Sequence, residues 1–272
     1  MMAKTVLITG ASTGIGLATA KLFQQRGWNV VATMRSPQKT SDLTTLDHTL
    51  SLQLDVTDPD SIAQAVTAAL EKFSTIDVLV NNAGYGLIGA FEACTPEQIE
   101  RQFATNVFGL MAVTRAVLPH FRERRSGTII NIASIGGKMA FPLYSLYHST
   151  KWAVEGFSES LQYELEPFNI RVKVIEPGPI KTDFYGRSAD PATRLGLTAY
   201  DEFAAKVTAK LKQAGNNGSP PEVTAQVIYQ AAIDPSQRLR YPAGGNAGLL
   251  LLLRKLLPDR MFSTIVRSST IR

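Results

Sequence analysis

Short, continuous runs of β-branched and other apolar residues alternate along the chain with longer stretches in which apolar positions recur every three or four residues. The short runs predict strands at Thr5–Thr9, Asn29–Thr33, Leu50–Leu54, Val78–Asn81, Gly127–Ile132 and Arg171–Glu176. Amphipathic stretches at Gly16–Arg26, Pro59–Phe73, Pro96–Arg124 and Tyr147–Phe168 predict the helices between them. Strands apolar on both faces and separated by helices belong in a parallel sheet covered on both sides. Right-handed crossovers then leave a doubly wound α/β sandwich of three layers as the economical topology. Beyond Pro177 the pattern loosens into a helical run near Ala199–Gln213, a helix after Pro220–Pro221, a short strand near Arg238–Tyr241 and a leucine-rich tail. No linker divides the chain, so residues 1–272 read as one domain. Within it, 184–215 is expected to cap the carboxyl ends of the strands, where ligands bind, and 242–272 forms a C-terminal extension.

Composition adds constraints rather than a different picture. With 272 residues and 44% hydrophobic content the chain can bury one large core. Cys94 is the only cysteine, which excludes an intrachain disulfide and a cysteine-based zinc site and suits a reducing compartment. His48, His120 and His148 lack metal-ligand spacing, so no metal is expected. The start, MMAKTVLITGAS, runs straight into a strand and turn without a signal-peptide pattern. The longest apolar run, Leu249–Leu253, is far short of the ~20 residues that span a bilayer. A cytoplasmic protein with a small-molecule rather than a nucleic-acid partner is expected. Part of the formal charge of +5 is local: Arg254, Lys255, Arg260, Arg267 and Arg272 face only Asp259 in the tail. Such a tail can lie on an anionic membrane surface, but amphipathic helices more often turn their leucines onto the body or a second subunit, and that is the expectation here.

Two short motifs carry chemistry. After the first strand, TGASTGIG (Thr9–Gly16) places Gly10, Gly14 and Gly16 where a tight turn leads into a helix. Glycines there allow close backbone approach to a ligand, and the helix offers unpaired N–H groups to a pyrophosphate. The spacing is G-x-x-x-G-x-G and no Walker lysine follows, so a dinucleotide fits better than a nucleoside triphosphate. At the end of the second strand stand Ala32, Thr33, Met34 and Arg35, with no acid until Asp42. An acid would read a ribose 2′-hydroxyl; a guanidinium suits a 2′-phosphate, which favours NADP(H), with NAD(H) possible. The second motif, YHSTK (Tyr147–Lys151), puts a phenol and an ammonium on one helical face. A fixed positive charge favours phenolate and draws the phenol from its usual ~10 toward working pH.

TGASTGIG, NNAG at Asn81–Gly84, then Ser134, Tyr147 and Lys151, then PGPIKT at Pro177–Thr182 together resemble the short-chain dehydrogenase/reductase family in order and spacing, over about residues 4–184. Ser134 precedes Tyr147 by thirteen residues, as the family pattern asks. The resemblance implies a Rossmann-type sheet of about seven strands and nicotinamide-dependent hydride transfer on CH–OH donors, with NAD(P)+ as acceptor. It implies Tyr147 as general acid or base, Lys151 as the residue that lowers its pKa and meets the nicotinamide ribose, Ser134 as holder of the substrate oxygen, and Asn106 as support for a proton-relay water. It assigns Gly10, Ser12, Thr13, Gly14, Ile15 and Gly16 to the cofactor phosphates, and Asp55 and Val56 to the adenine side. Asn82, Ala83 and Gly84 fall beside the ribose, and Pro177, Gly178, Ile180 and Thr182 beside the nicotinamide. Asp55 could instead cap the helix of VTDPDS, a role that suits Asp58 better.

Tyr144 has His148, not lysine, four residues on; it reads as a pocket residue, with Phe184 and Tyr185 nearby. These, with Phe141, Leu143 and the leucine-rich tail, suggest a lipophilic ketone or alcohol, and ATMRSP with PGPIKTDF looks like the steroid- and retinoid-active branch. Homodimers and homotetramers through the long helices are frequent in the family. Two alternatives are weighed. A serine hydrolase built on Ser145, His148 and Ser149 lacks a G-x-S-x-G elbow. A redox sensor or scaffold that binds NADP(H) with little turnover would have no need of the phenol.

Overall fold

The computed structural model describes residues 3–39, 43, 46–182, 184, 186 and 189–271. Its strands are β1 (Thr5–Thr9), β2 (Asn29–Met34), β3 (Thr49–Gln53), β4 (Val78–Asn81), β5 (Gly86–Ile88), β6 (Gly127–Ile132), β7 (Ile170–Pro177), β8 (Ala189–Pro191) and β9 (Arg240–Ala243). Seven of them make one sheet in the order β3-β2-β1-β4-β6-β7-β9, and every pairing is parallel. β1, β4 and β6 are buried along their whole length, which is why their sequences are mainly apolar without alternation, and the buried Asn81 and Asn131 pair with each other at 2.9 Å.

Helices Gly14–Gln25 and Pro221–Ile233 cover one face, packing Phe23, Ile228 and Ala231 against Ile8, Val30 and Val80. Helices Pro59–Phe73, Leu110–Arg124 and Ser145–Leu165 cover the other, with Ile62, Val117, Phe121 and Leu161 against Leu7, Leu79 and Ile129. Strand order reverses between β1 and β4, since β2 and β3 lie on one side and β6, β7 and β9 on the other. Their carboxyl ends diverge there into a crevice, the place where doubly wound sheets bind ligands.

Local chemistry sets several helix ends. Asp58 accepts from the amides of Asp60 and Ser61, and Pro59 occupies the first turn. Thr95 and Gln98 form a reciprocal capping box ahead of Pro96–Phe103. The stretch expected as one helix from Pro96 to Arg124 is instead broken by a π turn at Ala104–Gly109. The turn lies against the segment after β3: a Cβ on Gly109 would come within 2.6 Å of Val56 Cγ2. The tail forms two helices, Ala247–Leu256 and Asp259–Thr270, parted at Pro258. Leu250, Leu251 and Val266 pack with Phe262 over Ile135 and Met139. β5 and β8 pair in parallel apart from the main sheet, fixing the segment after β7 beside the segment after β4.

Candidate active site

The turn after β1 is stitched to β4 before any ligand is considered. The Thr9 hydroxyl accepts from the amides of Asn82 and Ala83, both at 3.0 Å. The Asn82 side chain returns two hydrogen bonds, to the carbonyls of Thr9 (2.9 Å) and Gly10 (3.0 Å). Gly10 and Gly14 have φ of +66° and +55°, the left-handed region that favours glycine. Gly16 is required by contact: a Cβ there would sit 2.3 Å from the Gly10 carbonyl oxygen and 2.6 Å from Asn82 Nδ2. Thr13 stands at the N-cap of the following helix, yet its own side chain does not cap it. First-turn N–H groups and the positive end of the helix dipole thus face the crevice, a donor set that fits the pyrophosphate of a dinucleotide.

The crevice is a cavity of about 1140 Å³. Gly10, Ser12, Thr13, Gly14 and Ile15 line its floor, with Arg35 exposed at the end of β2 and Asp55 and Val56 following β3. The described residues that end and follow β2, Met34 to Lys39, include no carboxylate. Asp55 accepts from the amide (2.9 Å) and hydroxyl (2.7 Å) of Thr57, while the helix cap belongs to Asp58. Asn82, Ala83 and Gly84 line the middle; Pro177, Gly178, Ile180 and Thr182 close the side below β7. Gly16 and Asn106 are absent from the wall and stand behind it.

At the other end, Tyr147 and Lys151 lie one turn apart on helix Ser145–Leu165, and Ser134 follows β6. The Lys151 side chain is buried; its Nζ donates to the Ile132 carbonyl at 2.8 Å and stands 5.7 Å from the centre of the Tyr147 ring. Burial pushes the lysine from 10.5 to about 8. The Ser134 hydroxyl accepts from the Gly136 amide (3.0 Å) and reaches the Pro177 carbonyl at 3.5 Å. Asn106, inside the π turn, binds both polar groups of the Tyr85 backbone, accepting from its N–H at 3.1 Å and donating to its carbonyl at 2.9 Å. It also donates to the Thr150 hydroxyl at 3.2 Å, and that hydroxyl donates to the Tyr147 carbonyl at 2.7 Å. A chain of hydrogen bonds therefore joins the β4 loop to the turn that carries Tyr147.

Aromatic rings surround the phenol. Phe184 stands 5.1 Å from Tyr147 between ring centres, and the buried Tyr144 stands 5.7 Å from it and stacks on His148 at 5.3 Å. Tyr185 lies outside the described residues. His148 Nδ1 accepts from the Phe141 amide at 3.3 Å, and burial pushes its pKa to about 4, so it is neutral at pH 7. Ser149 donates to the Ser145 carbonyl, so these neighbours do not assemble as a nucleophile and its base. Leu211, Ala214, Leu250 and Thr270 bring the cap helix Asp201–Asn216 and the tail into the cavity wall. Tyr85, Arg101 and Asp190 form a polar edge, with Arg101 and Asp190 paired at 3.2 Å.

The residues that sequence reasoning missed are the holders. Thr9, Thr150 and Tyr85 each bind a partner distant in sequence, and no local pattern announces such contacts.

A model of the short chain dehydrogenase family matches residues 4–192. The chain is 35% identical over 269 residues to the 3-ketodihydrosphingosine reductase of Bacteroides thetaiotaomicron, covering 98% of each. It is 34% identical to retinol dehydrogenase 8 of Bos taurus, covering 98% of this chain and 89% of that one. Among solved structures it superposes on a short-chain dehydrogenase from Streptomyces avermitilis with a TM-score of 0.82, at 36% identity and 99% coverage of both. ElxO with NADP bound gives a TM-score of 0.73 at 27% identity, covering 89% of this chain and 98% of that one. The 3-ketoacyl-(acyl-carrier-protein) reductase of Brucella melitensis, complexed with NADH, gives 0.75 at 27%, covering 90% and 98%.

Proposed function

This chain belongs to the short-chain dehydrogenase family and is an oxidoreductase acting on CH–OH donors, and from that premise we propose that it interconverts a lipophilic ketone and its secondary alcohol with NADP(H) as preferred cofactor. The reading is carried by one arrangement: the Ser134 hydroxyl, the Tyr147 phenol and the Lys151 ammonium gather on one wall of a cavity whose other end is a glycine-lined anion cradle. A bound nicotinamide supplies the hydride for reduction and accepts it in oxidation.

The protein's part is position and proton transfer. Charge that grows on a carbonyl oxygen needs a placed donor and a proton source. Ser134 is the donor, held between Gly136 and Pro177. Tyr147 gives up its proton to that oxygen, and the nearby Lys151 ammonium stabilises the phenolate left behind. In alcohol oxidation the phenolate takes the proton back. Asn106 positions the Tyr147 turn through Thr150.

Arg35 supports the NADP(H) preference, because a guanidinium favours a 2′-phosphate and the described residues from Met34 to Lys39 include no acid to read a 2′-hydroxyl instead. The rings of Phe141, Tyr144 and Phe184, with Leu211 and Leu250, support an apolar substrate, as do the names of the sphingoid-base and retinol relatives. We assign residues 1–272 to one domain, with the cap and tail enclosing the substrate side.

The test is turnover of NADPH against a panel running from small hydrophilic ketones to long-chain and polycyclic ones, with Tyr147→Phe alongside. Turnover should rise with substrate apolarity, and the variant should bind NADPH yet lose activity by at least about a hundredfold. A preference for small hydrophilic ketones would remove the lipophilic reading; an active Tyr147→Phe would remove the phenol from the mechanism.

A further inference from the structure

The first tail helix, Ala247–Leu256, is apolar on two sides, and only one side is packed. Leu250 and Leu251 on Ala247–Leu256, with Phe262 and Val266 on Asp259–Thr270, face the body. The opposite face of Ala247–Leu256 is leucine again: Leu249, Leu252 and Leu256 are exposed, and on the second helix Met261 and Ile265 are exposed beside the packed Phe262 and Val266, with exposures from 43% at Ile265 to 68% at Leu256. At 100° per residue, Leu249, Leu252 and Leu256 share one stripe. A surface helix normally turns polar residues outward, and one apolar all round is covered by something.

The same two helices also expose basic residues. Lys255, Arg260 and Arg267 are exposed and form no ion pair among the described residues. Arg254 is already engaged with Asp259 at 2.6 Å, and Asp259 is the sole acid of the tail. We propose that this face seats on the surface of an anionic lipid bilayer, its leucines among the acyl chains and its cations among the headgroups. Charge selects this occupant over a second copy. Pairing the face with itself would bring two sets of three cations together with each copy's one acid already engaged, whereas an anionic headgroup layer complements them. No described helix is long and apolar enough to cross a membrane, so the contact is interfacial. Leu250, Ser269 and Thr270 of the same two helices line the cavity, which puts its tail-side wall at the lipid surface.

The experiment uses the full chain, without cofactor or substrate, so its outcome is independent of the reading of Tyr147. Protein is sedimented with vesicles of phosphatidylcholine alone, or of equal parts phosphatidylcholine and phosphatidylglycerol, at low and high salt. Binding should be strong on anionic vesicles and fall with salt. Lys255→Gln/Arg260→Gln/Arg267→Gln should lower it about a hundredfold, at roughly fivefold per cation. Leu252→Ser/Leu256→Ser should lower it at least about tenfold. All five side chains are exposed, so the circular dichroism spectrum and the thermal unfolding midpoint should be unchanged and report folding. Equal binding to both vesicle types, no binding, or binding that survives both variants overturns the proposal. A concentration-dependent dimer lost in the leucine variant, without vesicle binding, overturns it in favour of a second copy.

Discussion

Replacing Lys151 by methionine should make the protein more stable while removing its activity. Methionine keeps most of the lysine's volume and discards the buried ammonium. Burial lowers the lysine from 10.5 to about 8, so below pH 8 the folded state carries a penalty of about 3 kcal/mol relative to the unfolded chain. The lost hydrogen bond to the Ile132 carbonyl, 2.8 Å long, returns about 1 kcal/mol of that, leaving a gain of ~2 kcal/mol at pH 7. The pH dependence is distinctive. Below pH 8 both states hold the proton and the gain is constant. Between pH 8 and 10.5 the folded wild type has shed the proton that the unfolded chain keeps, so wild type closes the gap by about 1.4 kcal/mol per pH step. Above that range neither state is charged and the lysine no longer opposes folding. Denaturant unfolding of both proteins without cofactor, from pH 6 to pH 10, measures the difference. With Tyr147→Phe in both proteins no phenol couples to the lysine, and the remaining groups that titrate in the same range, Lys173 at about 8 among them, cancel between the two curves. A variant no more stable at pH 7, or a difference that fails to narrow above pH 8, would refute the reasoning.

Arg35→Ala should weaken NADPH by ~10–100-fold and leave NADH nearly unchanged, read by fluorescence titration; equal losses would rule out a 2′-phosphate contact. Gly16→Ala should cost at least about tenfold in cofactor affinity, because the new methyl meets the Gly10 carbonyl at 2.3 Å; unchanged affinity would mean that the turn yields freely. Thr9→Val leaves the Asn82 and Ala83 amides without their acceptor and should cost ~2–4 kcal/mol in denaturant unfolding, largely restored by Thr9→Ser. A loss under about 1 kcal/mol would show that water replaces the hydroxyl.

Much of this architecture is legible in the chain because its strongest signals are local. β1, β4 and β6 are mainly apolar runs without alternation, and the helix Pro59–Phe73 announces its start through Asp58 and Pro59. The candidate site was legible for a different reason: glycines, a phenol and an ammonium at fixed spacings have few other uses in combination. What stayed hidden depends on distant partners. The Thr9 hydroxyl serves amides more than seventy residues away, and β5 meets β8 over three residues each, too short for any periodicity. The helical period of Pro96–Arg124 is nearly unbroken, so nothing in it marks where the helix gives way. Leucine spacing in the tail likewise predicts a helix without saying which of its two apolar sides the body would take.

A segment from Pro96 to Arg124 that holds a π turn contains one residue more than an unbroken α-helix would need. Deleting one residue within Ala104–Gly109 would restore regular hydrogen bonding, a local gain. It would also rotate everything before the deletion by about 100° relative to everything after it. Val113, Val117 and Phe121 are anchored in the core, so the rotation would fall on the other half, carrying Gln102 and Asn106 away from the Tyr85 carbonyl they share. Length in this stretch therefore acts as a phase setting between two surfaces, one that packs in the core and one that holds the loop after β4. Their alignment, rather than the regularity of the helix, is what the fold preserves.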